Sequence, residues 1–318
     1  MVKKPTVISL FAGCGGSSLG YKIAGYNELA AVEWWNLAVE TFKLNFPRIP
    51  VLSQDIKTIS SRELMETAGI KPKELDILDA SPPCQGFSKS GKYELKDIRN
   101  QLIFEVIRLA KDIKPKIIII ENVDSMADRP MNKILVKALA EIKKSGYKVK
   151  AAIMDAANYS IPQHRKRLII IAIRNNINKE ISYPALHNKI IPLWKALENC
   201  PIENKIYPSG KSHALSILMK PGKDGASVIN KNNKFFSHRK CKWNRPAFTL
   251  IKSSVRHLIH PDENRPFTIP ELKRICSFPD SFKFPSEMSY GNKAGLLANS
   301  VPPLLIKVIA EHVKEFIK

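Results

Sequence analysis

The chain has 318 residues, 44% of them apolar and 25% charged, an ordinary globular composition with enough length for a sizeable buried core. Its 51 Lys and Arg against 29 Asp and Glu give a formal charge of +22, an excess that repels itself and is commonly offset by a polyanionic partner. The longest aliphatic run, Leu168–Ile173, is far short of the ~20 residues that span a bilayer, which argues against a membrane protein. The first residues carry no secretory pattern, and the five scattered cysteines hold no C-x-x-C pair, so a reducing, cytoplasmic setting is expected rather than a disulfide scaffold.

In chain order, candidate strands are Thr6–Phe11, Leu29–Glu33, Pro50–Gln54, Ile77–Ala80, Lys116–Glu121, Lys148–Met154 and Arg167–Ile173. Several are β-branched runs bounded by Gly, Pro, Asp or Ser, as buried parallel strands should be. Helical spacing separates them, as in Ile103, Val106, Ile107 and Ala110, and again in Ile134, Leu135, Ala138, Leu139 and Ile142. This alternation predicts an α/β fold with a doubly wound, mostly parallel sheet over residues 1–185. From Leu186 to Lys293 the text turns irregular and carries +11 in 108 residues, as much charge as the other 210 together. That stretch reads as a second, smaller module (186–294) facing a polyanion. Residues 295–318 return to an apolar helix expected to pack on the first domain.

Strand one runs into a glycine-rich turn, Phe11-Ala12-Gly13-Cys14-Gly15-Gly16, where backbone can approach a ligand. Ser18 breaks the full G-x-G-x-x-G, which weakens a phosphate-binding reading. Glu33 ends strand two, where an acid accepts from ribose hydroxyls, Trp34 can stack on a purine, and Asp55 ends strand three. Each alone also fits an ordinary cap, core or turn role. Together, at successive strand ends, they favour an adenosine-containing cofactor, and S-adenosyl-L-methionine over NAD.

Strand four leads into Ser81-Pro-Pro-Cys84-Gln85-Gly-Phe-Ser88. Two prolines stiffen the backbone before a cysteine set among polar neighbours, unlike the apolar surroundings of structural cysteines. Strand five ends in Glu121-Asn-Val, and Gln163-His-Arg165-Lys-Arg167 precedes the last strand. A thiolate, a carboxyl group and a methyl donor suit one reaction on cytosine. Addition at carbon-6 makes carbon-5 an enamine nucleophile, and a carboxyl group at ring nitrogen-3 stabilises the developing charge. The base must first leave the stack.

These blocks resemble the cytosine-5 DNA methyltransferases almost end to end, from Ile8 to about Ile309. Phe11–Gly16, Glu33-Trp34, Asp55-Ile56, Pro82–Gln85, Arg99–Leu102, Glu121–Val123, Gln163–Arg167, Arg265–Asp280 and Asn299–Pro303 stand in family order. The resemblance implies a seven-stranded Rossmann-like methyltransferase domain with a DNA-recognition domain. It implies Cys84 as nucleophile, Glu121 at ring nitrogen-3, Arg165 and Arg167 positioning the flipped base, and Gln163 supporting that loop. Phe11, Ala12, Gly13, Gly15, Gly16, Glu33, Trp34, Asp55, Ile56, Leu102, Asn299, Ser300 and Val301 would line the methyl-donor site. Pro83, Gln85, Ser88, Arg239 and Arg245 would face DNA, and Gly86–Lys92 would close over it. Two positions depart from the family: Ser9, where Asp is frequent, and Ala298, where Gly is usual. If position 298 needed positive φ, alanine would cost about 1 kcal/mol or more.

The resemblance further implies double-stranded DNA as partner, a monomer, no metal, and a possible cognate restriction endonuclease acting on the same site. Asn232, Asn233 and Ser237 join Arg239 as candidate base readers. A zinc reading of Cys241, His257, His260 and Cys276 matches no common finger spacing. The alternatives are a tRNA cytosine-5 methyltransferase, whose Cys-Phe-Thr signature this chain lacks, a catalytically silent DNA-binding protein, which would lack nucleophile or acid, and a dehydrogenase with the complete glycine fingerprint.

Overall fold

The computed structural model describes residues 4–83, 101–129, 132–201, 203, 205–207, 210–229 and 237–317. They form two compact units. One comprises Met1–Met154, Lys166–Ala185 and Pro303–Lys318, and the other Asp155–Arg165 and Leu186–Pro302.

The first unit alternates strand and helix: β1 (Thr6–Leu10), α1 (Gly16–Ile23), β2 (Asn27–Val32), α2 (Asn36–Asn45), β3 (Val51–Leu52), α3 (Ser61–Ala68), β4 (Ile77–Ala80), α4 (Leu102–Ile113), β5 (Ile117–Val123), α5 (Asn132–Lys144), β6 (Tyr147–Asp155) and β7 (Lys166–Arg174). The seven strands make one sheet in the order β3-β2-β1-β4-β5-β7-β6. Pairs from β3 to β5 are parallel, while β5 and β7 run antiparallel with Glu121 opposite Ile169 and Val123 opposite Arg167. All seven strands fall on the runs expected from sequence. The edge strand β3 shrinks to Val51–Leu52, because a half-exposed edge has one neighbour to hold it.

Four consecutive isoleucines, Ile117–Ile120, open β5 and are buried, as suits a strand covered on both faces. One face packs Ile8, Leu10, Val32, Leu78 and Ile120 against α4 residues Ile103, Val106, Ile107 and Ala110. Those helix positions recur every three or four residues, so one stripe is buried. Helix α3 starts where Ser60 accepts from the Glu63 amide and stops at Gly69, whose φ of 64° closes the helix left-handed.

The second unit carries α6 (Leu193–Ala196), α7 (Gly210–Leu218), α8 (Ala226–Ile229), the parallel pair β8 (Arg239–Lys240) and β9 (Leu258–Ile259), α9 (Ile269–Ile275) and α10 (Tyr290–Asn299). A capping box starts α9: Thr268 accepts from the Glu271 amide while the Glu271 carboxylate accepts from the Thr268 amide. Arg265 grips both Glu271 and Glu263 with paired bonds of 2.8–3.0 Å, so a buried guanidinium fixes the start of that helix.

The chain then returns to the first unit in α11 (Pro303–Ile317). The single apolar helix expected from residue 295 is two helices. Ser300 is extended, and Pro302 and Pro303 lack the amides to continue α10, while Pro303 is tolerated in the first turn of α11. Within the first unit α11 packs on α1, and Gly20 permits it: a Cβ there would lie 2.5 Å from the Pro303 carbonyl oxygen.

Candidate active site

In the first unit the candidate residues sit where parallel strands end. β1 gives way to Phe11, held at φ 56°, then to Gly13 at φ 56° and Gly15 at φ 99°. These left-handed positions turn the chain into α1, whose N-cap is Gly15. A Cβ on Gly15 would lie 2.3 Å from Phe46 Cε2, so glycine is required there by space as well as by φ. At Gly13 a Cβ would meet nothing within 4 Å, so that side of the turn is open.

Glu33, just past β2, is buried and locks this turn. Its Oε2 accepts from the Gly13 amide at 2.8 Å, and its Oε1 from the amides of Trp34 at 2.9 Å and Trp35 at 2.8 Å. Burial pushes its carboxyl above the usual range, against the pull of those three amides. Three of about four acceptor sites are therefore used before any ligand arrives. Sequence offered Glu33 as a ribose acceptor or a cap neighbour; in the structure it joins the β2 end to the glycine turn. The same bonds hold Trp34 open to solvent at 67% exposure, an unusual state for a tryptophan. Asp55 is exposed, and its Oδ1 accepts from the Lys57 amide. Arg108 of α4 donates to the carbonyls of Ile56 and Ile59, so Asp55 and Ile56 sit on a braced turn. Leu102 is half-buried at the start of α4.

Glu121 of β5 and Arg167 of β7 form an ion pair, Oε1 to Nε at 2.8 Å, with both side chains nearly buried. The antiparallel register puts them on one face of the sheet, two residues out of step. Asn122 points the other way. Its amide donates to the Pro82 carbonyl at 3.3 Å, tying β5 to the Pro82-Pro83 segment. Cys84, Gln85 and Ser88, with Gly86–Lys92, Arg99 and Asn100, lie outside the described residues. The other four cysteines are poor thiolates or inaccessible. Burial pushes Cys200 to about 11, Cys241 to about 12 and Cys276 upward, and Cys14 is buried.

In the second unit, Gln163 and Arg165 are buried on either side of exposed His164. Gln163 bridges to Ala247, and its Nε2 donates to Cys276 Sγ at 3.4 Å. Arg165 donates to the carbonyls of Leu250, Ala298 and Ser300 at 2.8–3.2 Å. It thus holds three backbone segments together, among them the Asn299-Ser300-Val301 block. Asp155 anchors the same loop through the Arg165 amide and the His164 ring. Ala298 lies in the last turn of α10 and is helical, so its methyl group meets none of the conditional strain.

Arg239 lies over the Phe248 ring at 5.2 Å, and Arg245 is exposed. Ser237 is described, whereas Asn232 and Asn233 lie outside the described residues. Among the described residues no three His, Cys, Asp or Glu side chains gather as metal ligands do. His257 instead stacks on His238 with ring centroids 3.7 Å apart, and the His260 ring accepts from the Asp262 and Glu263 amides.

Sequence reasoning missed the polar cluster beneath the glycine turn. Asp79 of β4 accepts from Tyr21 Oη at 3.0 Å, and Glu28 of β2 accepts from Ser18 Oγ at 2.9 Å. Both carboxyls are enclosed, and burial pushes Asp79 to about 7 and Glu28 to about 8. The signal was available for Asp79, an acid inside an apolar strand run, but not for Glu28, which follows Asn27 ahead of the apolar residues of β2.

A seven-stranded α/β sheet with a glycine turn after β1, an acid after β2 and an antiparallel β7 defines a Rossmann-like methyltransferase domain. The model of the C-5 cytosine-specific DNA methylase family matches residues 5–315, and the chain belongs to that family of enzymes. The Type II methyltransferase M.Sau96I of Staphylococcus aureus is 32% identical over 99% of this chain and 77% of its own. M1.HphI of Haemophilus parahaemolyticus, also a Type II methyltransferase, is 31% identical over 97% and 86%. Among solved structures, one described as an E. coli prophage-encoded DNA modification methyltransferase shares the fold, with a TM-score of 0.81 and 22% identity over 99% of each chain.

Proposed function

We propose that this chain methylates carbon-5 of a cytosine in double-stranded DNA, with S-adenosyl-L-methionine as methyl donor and Cys84 as nucleophile. The observation that carries this reading is the buried Glu121–Arg167 pair at the sheet end, on a strand tied through Asn122 to the segment that leads into Cys84. No other cysteine with a shifted thiol suits the task, since all three are pushed upward by burial.

The residues fit an adenosine-bearing donor. The open side of Gly13 gives backbone approach, exposed Trp34 gives a stacking face, and the remaining Glu33 acceptor site suits a ribose hydroxyl. When bound, that donor supplies an electrophilic methyl on a sulfonium. Asn299, Ser300 and Val301 belong to the same reading, with Arg165 holding their backbone.

The Cys84 thiolate adds to carbon-6 while Glu121 holds a proton at ring nitrogen-3, and the resulting enamine attacks through carbon-5. Loss of the carbon-5 proton to a base then expels the Cys84 sulfur and restores the aromatic ring. Arg167 keeps Glu121 in place and balances its charge between turnovers. The flipped cytosine enters a site excluded from the base stack.

The dense positive charge of residues 186–294 supports duplex binding, with Arg239 and Arg245 toward phosphates or base edges. The bacterial relatives are Type II methyltransferases, which favours a role that marks DNA against a nuclease of the same site in the cytoplasm. Bisulfite sequencing of DNA from cells expressing the chain tests the reading. Protected cytosines in one sequence context are expected, and none with Cys84→Ser. Methylation of tRNA with unprotected DNA would overturn it.

A further inference from the structure

Within the second unit, the loop Asp155–Arg165 is stitched to segments far away in sequence. The Ala247 amide donates to the Pro162 carbonyl at 2.9 Å, the His164 amide to the Ala247 carbonyl at 2.8 Å, and Thr249 Oγ1 to the His164 carbonyl. Arg165 turns inward from this loop and is 3% exposed. Helix α10 ends beside it, and the last carbonyls of a helix have no amide ahead of them. The Ser300 amide serves Leu296 and Leu297, while Pro302 and Pro303 have no amide to offer. Arg165 Nη2 donates instead, to the Ala298 carbonyl at 2.8 Å and the Ser300 carbonyl at 3.0 Å. A cation there also meets the negative pole of the helix. Nη1 of the same group donates to the Leu250 carbonyl at 3.2 Å. A guanidinium is planar and rigid, so its two nitrogens keep a fixed separation. The Leu250 carbonyl therefore cannot shift against those of Ala298 and Ser300 without breaking a bond in a buried site, where an unmade bond is costly.

The joined carbonyls belong to segments with separate tasks in the proposed function. Asn299, Ser300 and Val301 lie at the methyl donor. Leu250 follows Arg245 and Phe248, and Arg239 lies over the Phe248 ring on the side assigned to DNA. We propose that Arg165 is a positioning residue that couples the two sites: donor orders 298–301, DNA orders 245–250, and the guanidinium passes the order of each segment to the other, so that each ligand tightens the other. The inference rests on that assignment of the two ligands. Ordering already met by the first ligand is not required of the second, and the gain is equal in both directions.

The test measures binding, with S-adenosylhomocysteine in place of the donor so that no methyl moves, and with a duplex of the context found by bisulfite sequencing. Calorimetry gives the S-adenosylhomocysteine affinity with and without saturating duplex, and fluorescence anisotropy gives the duplex affinity with and without S-adenosylhomocysteine. In the parent each should raise the affinity of the other about tenfold. Arg165→Lys keeps a cation but not the fork, and should bring both factors to about one while either ligand alone binds within about threefold of the parent. A residue that only held the fold would, on substitution, lower both separate affinities and the melting temperature and leave the tenfold factor intact. That result overturns the proposal, as does a parent factor of one. If Arg165→Lys does not fold, hydrogen exchange on the parent decides. S-adenosylhomocysteine alone should slow exchange in 245–250, and duplex alone should slow it at Ser300. Protection confined to the segment that each ligand touches overturns the coupling. A parent that binds neither ligand overturns the proposed function and this inference with it, whereas binding of both without mutual tightening overturns the inference alone.

Discussion

Glu33 serves the frame first, and in the proposed function a ligand second. Its carboxylate accepts from three amides, which fixes the glycine turn and holds Trp34 outward. Trp34 is then free to supply a flat apolar face. Removing that face should cost the stacking energy of one base, about 1–3 kcal/mol. Trp34→Ala should therefore weaken S-adenosyl-L-methionine binding about tenfold or more by titration calorimetry, with the melting temperature little changed. Equal affinity would remove Trp34 from the donor site. Both residues were legible in the sequence, because acid and aromatic stand in a fixed relation to a strand end. The Glu121–Arg167 pair was only half legible. Each residue was singled out, but the bond depends on β7 running antiparallel beside β5, which residue spacing does not encode. Arg165 was expected to position the flipped base, and its guanidinium is engaged with three carbonyls. Its neighbours in space come from residues 85 and 133 positions away, beyond any local pattern.

At the scale of elements, the strands were legible because β-branched runs between Gly, Pro and Asp have few other ways to be buried. The break between α10 and α11 was written in Pro302-Pro303, although the apolar pattern runs through it. What apolar pattern could not report is the polar seam between α1 and the sheet, where Ser18 meets Glu28 and Tyr21 meets Asp79. That seam has a stability consequence. Glu28 has a folded pKa raised by burial to about 8, far above an unfolded glutamate. A raised carboxyl contributes fully below the unfolded value, and the contribution is lost as pH rises through the folded value. Between about pH 4.5 and 8 the folded state holds a proton that the unfolded chain has released. Glu28→Gln keeps the acceptor for Ser18 without that proton. It should melt with the parent at pH 5 and about 4 °C above it at pH 9, on the order of 2 kcal/mol. A gap of equal size at both pH values would place the effect in packing rather than ionisation.

For the whole molecule, charge and fold divide the work. The sheet unit places Glu33, Glu121 and the glycine turn at strand ends, where an open α/β fold gathers ligands. Residues 186–293, most of the second unit, carry as much net charge in 108 residues as the other 210 do together, which suits a phosphate backbone. Duplex affinity should then fall linearly on a log–log plot against salt, with a slope near −0.9 per neutralised phosphate. A salt-independent affinity would contradict this use of the charge. The recognised sequence was not legible, because the candidate readers sit in an irregular segment where neither periodicity nor fold fixes which side chain meets a base. The mechanism itself turns on one bond, between the sulfur of Cys84 and carbon-6 of cytosine. Duplex DNA with 5-fluorocytosine at the modified position blocks the final proton loss and should arrest the enzyme at that bond. In the presence of the methyl donor the account predicts a stable protein–DNA adduct whose peptide mass maps to Cys84; an adduct at another residue, or a methylated product formed without any adduct, would contradict it.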